Sequence, residues 1–127
     1  MKAEARELVN VSRPHQHATW MIGDVHGRAD LLEELLDMIA PEFGAGDRVV
    51  FLGDYVDRGP DSRGVVDSIL KLRRRPDVRV VCLKGNHEAA MLDAHDGESA
   101  YLWLYGMEGM ATVRSYSEEV ADRIDSL

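Results

Sequence analysis

The hydrophobic positions of this chain form three short runs, separated by longer segments with a different periodicity. The runs cover Thr19–Ile22 and residues 48–52 and 78–83, and a glycine follows each of them within two positions. Short apolar runs that are rich in β-branched residues and end near a glycine predict β-strands. Because the runs are almost continuously apolar, we expect strands that are covered on both faces, as in a parallel sheet.

The two segments between the runs have the periodicity of amphipathic helices. In residues 30–40 and 61–74, apolar side chains recur every three to four positions and charged side chains occupy the opposite face. Asp30 begins a pattern that resembles a capping box, and Asp61 or Ser62 is the candidate N-cap of the second helix. The order β-α-β-α-β predicts an α/β fold with right-handed crossovers and one parallel layer.

Beyond the third run the pattern weakens. Residues 88–94 favour a helix, and residues 117–126 favour a terminal helix capped by Ser117. Residues 111–116 are compatible with a strand or an extended loop. No repeat, low-complexity stretch or interdomain linker interrupts the sequence, so we treat residues 1–127 as a single domain.

The composition predicts a globular protein with an acidic surface. The chain is 45% hydrophobic and 30% charged, with a formal net charge of −8. This balance is too apolar for a disordered chain, and the negative charge argues against nucleic acid or an anionic membrane as a partner. Met1–Asn10 lacks the apolar core of a signal peptide, and the single cysteine, Cys82, cannot form an internal disulfide. These features fit the cytoplasm, and they leave the oligomeric state open.

Polar motifs follow each of the three predicted strands. They are Gly-Asp-Val-His-Gly at residues 23–27, Gly-Asp-Tyr-Val-Asp-Arg-Gly at residues 53–59 and Gly-Asn-His-Glu at residues 85–88. They recur at intervals of about 30 residues, which is the length of one βαβ unit. The carboxyl ends of parallel strands lie at one edge of a sheet, so we expect the three motifs to meet there.

The residue types in these motifs suit a pair of divalent metal ions. Asp24 and His26 are two positions apart, so an extended strand exit would turn both side chains the same way. Asp54 has two carboxylate oxygens that can bridge two metals, and Asn86 offers a neutral amide oxygen to the second. Two such ions can clamp a phosphate and activate a water molecule between them.

Three further residues have the chemistry of phosphate transfer. Arg58 can bind phosphate with two parallel hydrogen bonds, and Asn86 is a second candidate phosphate ligand. His87 is the candidate general acid that protonates the leaving oxygen. Asp57 is the candidate carboxylate that orients the His87 ring. We interpret Glu88 instead as a helix N-terminal residue that faces the helix dipole.

The three motifs, in this order and at this spacing, resemble the signatures of the phosphoprotein phosphatase family, the Ser/Thr phosphatase branch of the calcineurin-like metallophosphoesterases. The similarity covers residues 20–91 and is of the bacterial type. It implies a β-sandwich with flanking helices and a site with two metals. By resemblance, Asp24, His26 and Asp54 bind the first metal, and Asp54 and Asn86 bind the second. His87 would act as general acid with Asp57, and Arg58 would bind the phosphate.

The sequence departs from this pattern after the third motif. Members of the family use two further histidines and usually a second arginine downstream, whereas the only histidine after His87 is His95. The chain therefore resembles the N-terminal half of such a domain, with an incomplete second metal site and an exposed apolar surface. Residues 101–116 resemble a stretch of bacterial members in which an asparagine and paired glycines precede the threonine. Here residues 106–110 differ, and we assign this stretch no catalytic role.

The resemblance implies a metal-dependent phosphomonoester hydrolase that uses metal-activated water. The favoured substrates are phosphoserine and phosphothreonine in proteins, and other phosphate esters are possible. Hydrolysis of diadenosine polyphosphates is a second hypothesis, which the intact residues 55–58 make less favoured. An inactive fragment that binds only metal or a partner is a third. Oxygen and nitrogen ligands without thiolate suit Mn²⁺, Fe or Zn²⁺, and the resemblance favours two Mn²⁺ ions.

Overall fold

The computed structural model describes residues 17–127. The expectation that concerns Met1–Asn10 lies outside this range. Among the described residues, no helix is long and apolar enough to cross a membrane.

A sheet of three parallel strands forms the centre of the fold. Strand β1 spans Thr19–Ile22, β2 spans Arg48–Phe51 and β3 spans Arg79–Cys82. The spatial order is β1-β2-β3, and the first residues of the three strands lie opposite one another. The three strands and their parallel arrangement agree with the prediction.

Two helices connect the strands. Helix α1 spans Ala29–Ile39 and continues into a 3₁₀ turn at Ala40–Glu42, and helix α2 spans Ser62–Leu72. Right-handed crossovers between sequential strands place both helices on the same face of the sheet. The buried core lies between them and that face, and consists of Ile22, Ala29, Leu32, Val49, Phe51, Val65, Ile69 and Leu72.

The sequence predicted the N-cap of α2 correctly and that of α1 incorrectly. The Asp61 carboxylate accepts a hydrogen bond of 2.8 Å from the backbone amide of Gly64, which confirms Asp61 as an N-cap. The capping box expected at Asp30 is wrong, because helix α1 begins one residue earlier and has no side-chain cap. The Asp30 carboxylate instead binds the guanidinium of Arg28 through two hydrogen bonds.

Among residues 17–127, apolar side chains are exposed on the opposite face of the sheet. Met21 in the middle of β1 is 66% exposed, and Leu52 and Leu83 are exposed beyond the ends of β2 and β3. The expectation that both faces are covered is therefore wrong for the described residues. The expected exposure of apolar surface is found on this face in the part of the chain that the structure describes.

The C-terminal region consists of short helical segments. Helix α3 spans Asn86–His95, a π-helical turn spans Leu102–Gly106, helix α4 spans Gly109–Tyr116 and helix α5 spans Glu118–Asp125. The prediction of a strand or extended loop at residues 111–116 is wrong, because this segment belongs to α4. Its β-branched residues favour extended structure only weakly when helix packing against α2 and α5 decides the conformation.

Helix α5 is fixed to α4 by its cap and by ion pairs. The Ser117 hydroxyl accepts a hydrogen bond from the Val120 amide at 3.2 Å, which confirms the predicted cap. Arg114 in α4 binds the carboxylates of Glu118 and Asp122 in α5. These contacts hold α4 and α5 together.

Candidate active site

Backbone hydrogen bonds join the loops that carry the first two motifs. The amides of Val25 and His26 both donate to the carbonyl oxygen of Asp54, at 3.1 and 3.0 Å. The amide of Gly59 in turn donates to the carbonyl oxygen of His26 at 3.0 Å. Loops from different strands are thus held together by main-chain contacts alone, before any side chain of the site is considered.

Glycines permit a close approach between the second and third motifs. A Cβ atom at Gly53, whose φ is +107°, would lie 2.5 Å from the backbone nitrogen of Gly85. A Cβ atom at Gly85 would lie 2.2 Å from a carboxylate oxygen of Asp54. Any larger residue at either position would push the loops apart, so these glycines allow the ligand side chains to converge.

Three of the predicted metal ligands converge at this edge of the sheet. One ligand atom each from Asp24, His26 and Asp54 lies within 4.8 Å of the others. The Nε2 atom of His26 is 3.7 Å from a carboxylate oxygen of Asp24. Two carboxylates and an imidazole at this separation can bind a single divalent ion.

The backbone of His26 differs from the expectation, although its side chain reaches the cluster. His26 lies in a turn with φ +42° rather than in an extended strand exit. Its Nδ1 atom is 2.9 Å from the carbonyl oxygen of Val56, which can accept a hydrogen bond from an Nδ1–H group. With the proton on Nδ1, the lone pair on Nε2 faces Asp24 and is available to a metal.

The Asn86 amide group lies directly against the Asp54 carboxylate. One atom of the Asn86 amide group lies 3.0 Å from both carboxylate oxygens of Asp54. As the amide oxygen, this atom faces two other acceptors, and a cation bound between them would relieve the repulsion. As the amide nitrogen, it donates to the carboxylate instead. The donor set therefore fits a second ion that Asp54 and Asn86 share.

Glu88 holds the second motif in place by accepting hydrogen bonds from its backbone amides. Its buried carboxylate accepts hydrogen bonds from the amides of Asp54 at 2.6 Å and Tyr55 at 2.9 Å. It also accepts from the amide of Val56 at 3.3 Å and from that of Gly85 at 3.0 Å. Glu88 lies in the first turn of α3, as predicted, but it binds the loop of Asp54 as well as the start of its own helix. The sequence did not reveal this second contact.

His87 and Asp57 form a buried pair next to the cluster. The Nδ1 atom of His87 is 2.8 Å from a carboxylate oxygen of Asp57, and both side chains are buried. The ring of His87 packs edge-on against the ring of His26, with centroids 4.5 Å apart. The contact with Asp57 fixes the Nδ1–H group, so Nε2 is the ring atom available to exchange a proton.

Two residues that the sequence did not assign also bind Asp57. The indole Nε1–H of Trp103 lies 2.9 and 3.1 Å from the two carboxylate oxygens. The hydroxyl of Thr112 in α4 donates to one of them at 2.7 Å. The resemblance of residues 101–116 to bacterial family members was the only sequence signal that pointed to them.

Arg58 is exposed at the edge of the site. Its guanidinium is 3.4 Å from the carboxylate of Glu108, and both side chains are more than half exposed. Arg58 and His26 line a cavity of about 590 Å³ whose other walls are Arg28, Asp30, Gly59 and Pro60. An exposed ion pair of this kind is weak, so a phosphate in the cavity can compete with Glu108 for Arg58.

Several of the predicted site residues have an unusual backbone. His26, Asp54, Asp57 and Arg58 all have φ between +42° and +75°. Residues other than glycine rarely adopt this left-handed conformation, and it costs about 1–3 kcal/mol for each residue. Such strain is concentrated at functional sites, where surrounding contacts hold the backbone in place.

His95 does not take part in the cluster. It lies at the end of α3, is largely exposed and contacts the carboxylate of its neighbour Asp96 at 3.3 Å. Within the described residues, His95 therefore adds no ligand to the group formed by Asp24, His26 and Asp54.

Comparison with known proteins supports the resemblance that the motifs indicate. The family model described as calcineurin-like phosphoesterase matches residues 18–123. The chain is 35% identical over 94 residues to serine/threonine-protein phosphatase 2 of Escherichia coli (strain K12), a match that covers 74% of this chain and 40% of that protein. It is 38% identical over 87 residues to serine/threonine-protein phosphatase 1 of Salmonella typhimurium, covering 67% and 36% respectively.

A third relative has a different printed activity. The chain is 38% identical over 77 residues to the symmetrical bis(5'-nucleosyl)-tetraphosphatase of Pseudomonas fluorescens. That match covers 61% of this chain and 25% of the relative. The chain thus spans less than half the length of each of these three proteins.

Proposed function

This chain belongs to the calcineurin-like phosphoesterase family, and from this premise we propose that it is a metal-dependent phosphomonoester hydrolase acting on phosphoserine and phosphothreonine in proteins. The observation that supports the proposal most directly is the convergence of Asp24, His26 and Asp54 within 4.8 Å. Ligands from separate βα units meet at one sheet edge beside a histidine-carboxylate pair and an arginine. This combination suits phosphate ester hydrolysis.

We assign the metal ligands on the basis of this geometry. Asp24, His26 and Asp54 would hold one ion, and Asp54 and Asn86 a second. When bound, divalent ions supply charge that polarises the phosphate and lowers the pKa of a coordinated water. The ligands are oxygen and nitrogen atoms, which is compatible with our proposal of Mn²⁺ over Fe or Zn²⁺.

The remaining residues have roles that follow from their positions. Arg58 faces the open cavity, where its guanidinium would bind the phosphate oxygens together with the Asn86 amide. His87 would give a proton from Nε2 to the leaving oxygen while Asp57 keeps the Nδ1–H group in place. The exposed position of Arg58 suits a substrate that is presented on a protein surface. We propose that the protein acts in the cytoplasm.

The same site supports a second candidate, hydrolysis of diadenosine polyphosphates. The tetraphosphatase of Pseudomonas fluorescens is one of the relatives, which favours this reading. The two protein phosphatases match over longer stretches of the chain, which favours the first. A third candidate is a fragment that binds metal or a partner without turnover. Among the described residues, the proposed second ion would have only Asp54 and Asn86 as ligands, which supports this candidate.

One experiment separates the three candidates. The purified chain is supplied with Mn²⁺ and its turnover is compared on a phosphoserine peptide, diadenosine tetraphosphate and p-nitrophenyl phosphate, with Asp54→Asn as the inactive control. We expect slow turnover of the phosphopeptide and of p-nitrophenyl phosphate that Asp54→Asn abolishes. Preferred cleavage of diadenosine tetraphosphate would establish the second candidate. Metal binding that depends on Asp54, without any turnover, would establish the third.

A further inference from the structure

Asp57 is a fully buried carboxylate whose side-chain partners include no arginine or lysine. Its relative exposure is 0%, and in the described part of the chain its carboxylate contacts His87, Trp103 and Thr112. Burying a carboxylate is costly unless hydrogen bonds replace the lost water. Two neutral donors, an indole and a hydroxyl, therefore compensate the carboxylate and leave its charge available to the imidazole of His87.

The donors are distributed over the two carboxylate oxygens in a definite way. Thr112 donates to Oδ1 at 2.7 Å, and His87 contacts Oδ2 at 2.8 Å. The Trp103 indole bridges both oxygens, at 3.1 Å from Oδ1 and 2.9 Å from Oδ2. Rotation of the carboxylate would break at least two of these contacts, so Trp103 and Thr112 fix the direction in which Oδ2 faces.

The direction of the Thr112 hydroxyl proton follows from its neighbours. The backbone amide of Asp57 donates to the Thr112 oxygen at 2.8 Å, and the Ser62 hydroxyl lies 3.0 Å away. A hydroxyl has only one proton to donate, and the Thr112 hydroxyl donates to Oδ1 of Asp57. The Thr112 proton therefore goes to Asp57, and Ser62 must donate to Thr112. The threonine binds both the backbone and the side chain of Asp57.

Gly109 allows the indole to reach this position. A Cβ atom at Gly109 would lie 2.5 Å from Cε2 and 2.8 Å from Nε1 of Trp103. The start of α4 therefore lies directly against the indole ring, and α4 also contributes Thr112. The C-terminal helices supply two of the three side chains that contact the Asp57 carboxylate.

We propose that Trp103 and Thr112 are positioning residues for His87, which act through Asp57 by aiming Oδ2 at the Nδ1–H group. This inference rests on the proposed function for the role of His87 as general acid. It assigns a purpose to residues 101–116, which the sequence left without one. A purely structural role would make the two residues matter for stability alone.

The variants for the test remove single donors and have matched controls. Thr112→Val removes the hydroxyl at nearly constant volume, whereas Thr112→Ser keeps it. Trp103→Phe removes the indole N–H. Trp20→Phe is its control, because the Trp20 indole donates to another buried carboxylate, that of Asp47, at 3.0 Å. Thermal unfolding of all four variants measures the loss of stability separately.

The first measurement does not need activity. Nitrogen-15 NMR of the histidine rings, at one fixed pH and without metal, reports the Nδ1–H group of His87 and its exchange with water. We expect this exchange to become faster in Thr112→Val and Trp103→Phe, because each variant lacks one of the donors that hold the Asp57 carboxylate against the Nδ1–H group. Thr112→Ser and Trp20→Phe should match the unaltered chain. Unchanged exchange in both donor deletions would overturn the proposal, and if one variant does not fold, the other decides.

The second measurement uses the chemistry of the leaving group. An alkyl phosphate such as a phosphoserine peptide needs a proton on its leaving oxygen, whereas p-nitrophenolate leaves readily without one. We expect Thr112→Val and Trp103→Phe to lower kcat about 10- to 100-fold for the peptide and much less for p-nitrophenyl phosphate. Equal losses on both substrates would overturn the proposal. Absence of turnover in the unaltered chain would count against the proposed function, and the NMR result would still decide this inference.

Discussion

The carboxylate of Glu88 accepts a hydrogen bond of 2.6 Å from the backbone amide of Asp54, a residue 34 positions earlier in the chain. The same carboxylate binds three further amides, so the first turn of α3 and the loop after β2 share one buried anion. Asp54 is thus held through its main chain, while its side chain faces Asn86 and accepts a hydrogen bond from the amide of His87. The position of the candidate bridging ligand depends on a residue that is not itself part of the candidate metal-binding group.

Replacing Glu88 by glutamine should therefore weaken both the fold and the metal site. The amide of glutamine presents an NH₂ group to backbone donors that need an acceptor. We expect a loss of about 1.5–3 kcal/mol in the free energy of unfolding, the range for hydrogen bonds to a charged group. Urea denaturation followed by circular dichroism measures this loss. Glu98→Gln, an exposed position beyond α3, is the control, and equal stability of the two variants would contradict the expectation.

Replacing Asp54 by asparagine should abolish tight metal binding. The substitution removes a negative charge and one of two anionic oxygens from the position that both proposed ions share. Loss of a supporting residue alone costs about 10- to 100-fold in affinity, so we expect more than about 100-fold here. Isothermal titration with Mn²⁺ measures the change. Asp37→Asn, an exposed acidic residue on α1, should bind like the unaltered chain. Retained affinity in Asp54→Asn would disprove the proposed ligand set.

Replacing His87 by asparagine should lower turnover while metal binding persists. His87 contacts Asp57 through its side chain and Asp54 only through its backbone amide, which the substitution keeps. We expect turnover of a phosphoserine peptide to fall about 10²- to 10⁴-fold, the usual contribution of a general acid. Steady-state kinetics and metal titration of the same preparation test this. His95→Asn removes an exposed histidine and should have no effect, and a similar decrease in that variant would exclude the proposed role of His87.

Tyr55 should make the fold less stable as the pH becomes strongly alkaline. Burial, followed by the nearby Cys82 and Glu88 side chains, raises the pKa of the Tyr55 phenol above its usual value. Its hydroxyl donates to the carbonyl oxygen of Leu83 at 2.5 Å. Because the folded pKa exceeds the unfolded one, the stabilisation is complete below the unfolded pKa of about 10 and is lost as the pH rises further.

The variant Tyr55→Phe isolates this contribution. Between about pH 8 and about pH 11, the unaltered chain should lose more unfolding free energy than Tyr55→Phe, because only the former must keep a phenol neutral. Urea midpoints at several pH values measure the difference. Tyr101→Phe, a tyrosine that is 77% exposed, serves as the control. Parallel pH profiles for the unaltered chain and Tyr55→Phe would show that Tyr55 has no such effect.

The sheet and the meeting of the motifs could be predicted because their signals are local. Apolar runs that end near glycines identify strands, and the interval between Asp24, Asp54 and Asn86 matches one βαβ unit. The parallel arrangement then requires the strand ends to meet at one edge. For this part of the molecule, sequence periodicity and chain topology predict the same arrangement of strands and motifs.

The residues that hold the site residues in position could not be predicted in this way. The contact between Asp57 and Thr112 joins residues 55 positions apart, and it depends on where α4 packs. The β-branched residues at 111–116 suggested an extended segment, yet packing against α2 and α5 makes it helical. Trp103 and Glu88 are ordinary core or helix-start residues by sequence. Only tertiary structure shows which polar group each of them reaches.

The left-handed backbone at His26, Asp54, Asp57 and Arg58 means that selection for thermal stability and selection for activity can favour different residues. Glycine at any of these positions would relieve strain of about 1–3 kcal/mol and would remove a side chain of the site. At Arg58, whose side chain is more than half exposed, a mutant library screened only for survival after heating would therefore enrich glycine while losing chemistry. If such a library is screened for activity instead, the larger residue should be retained despite its strained backbone.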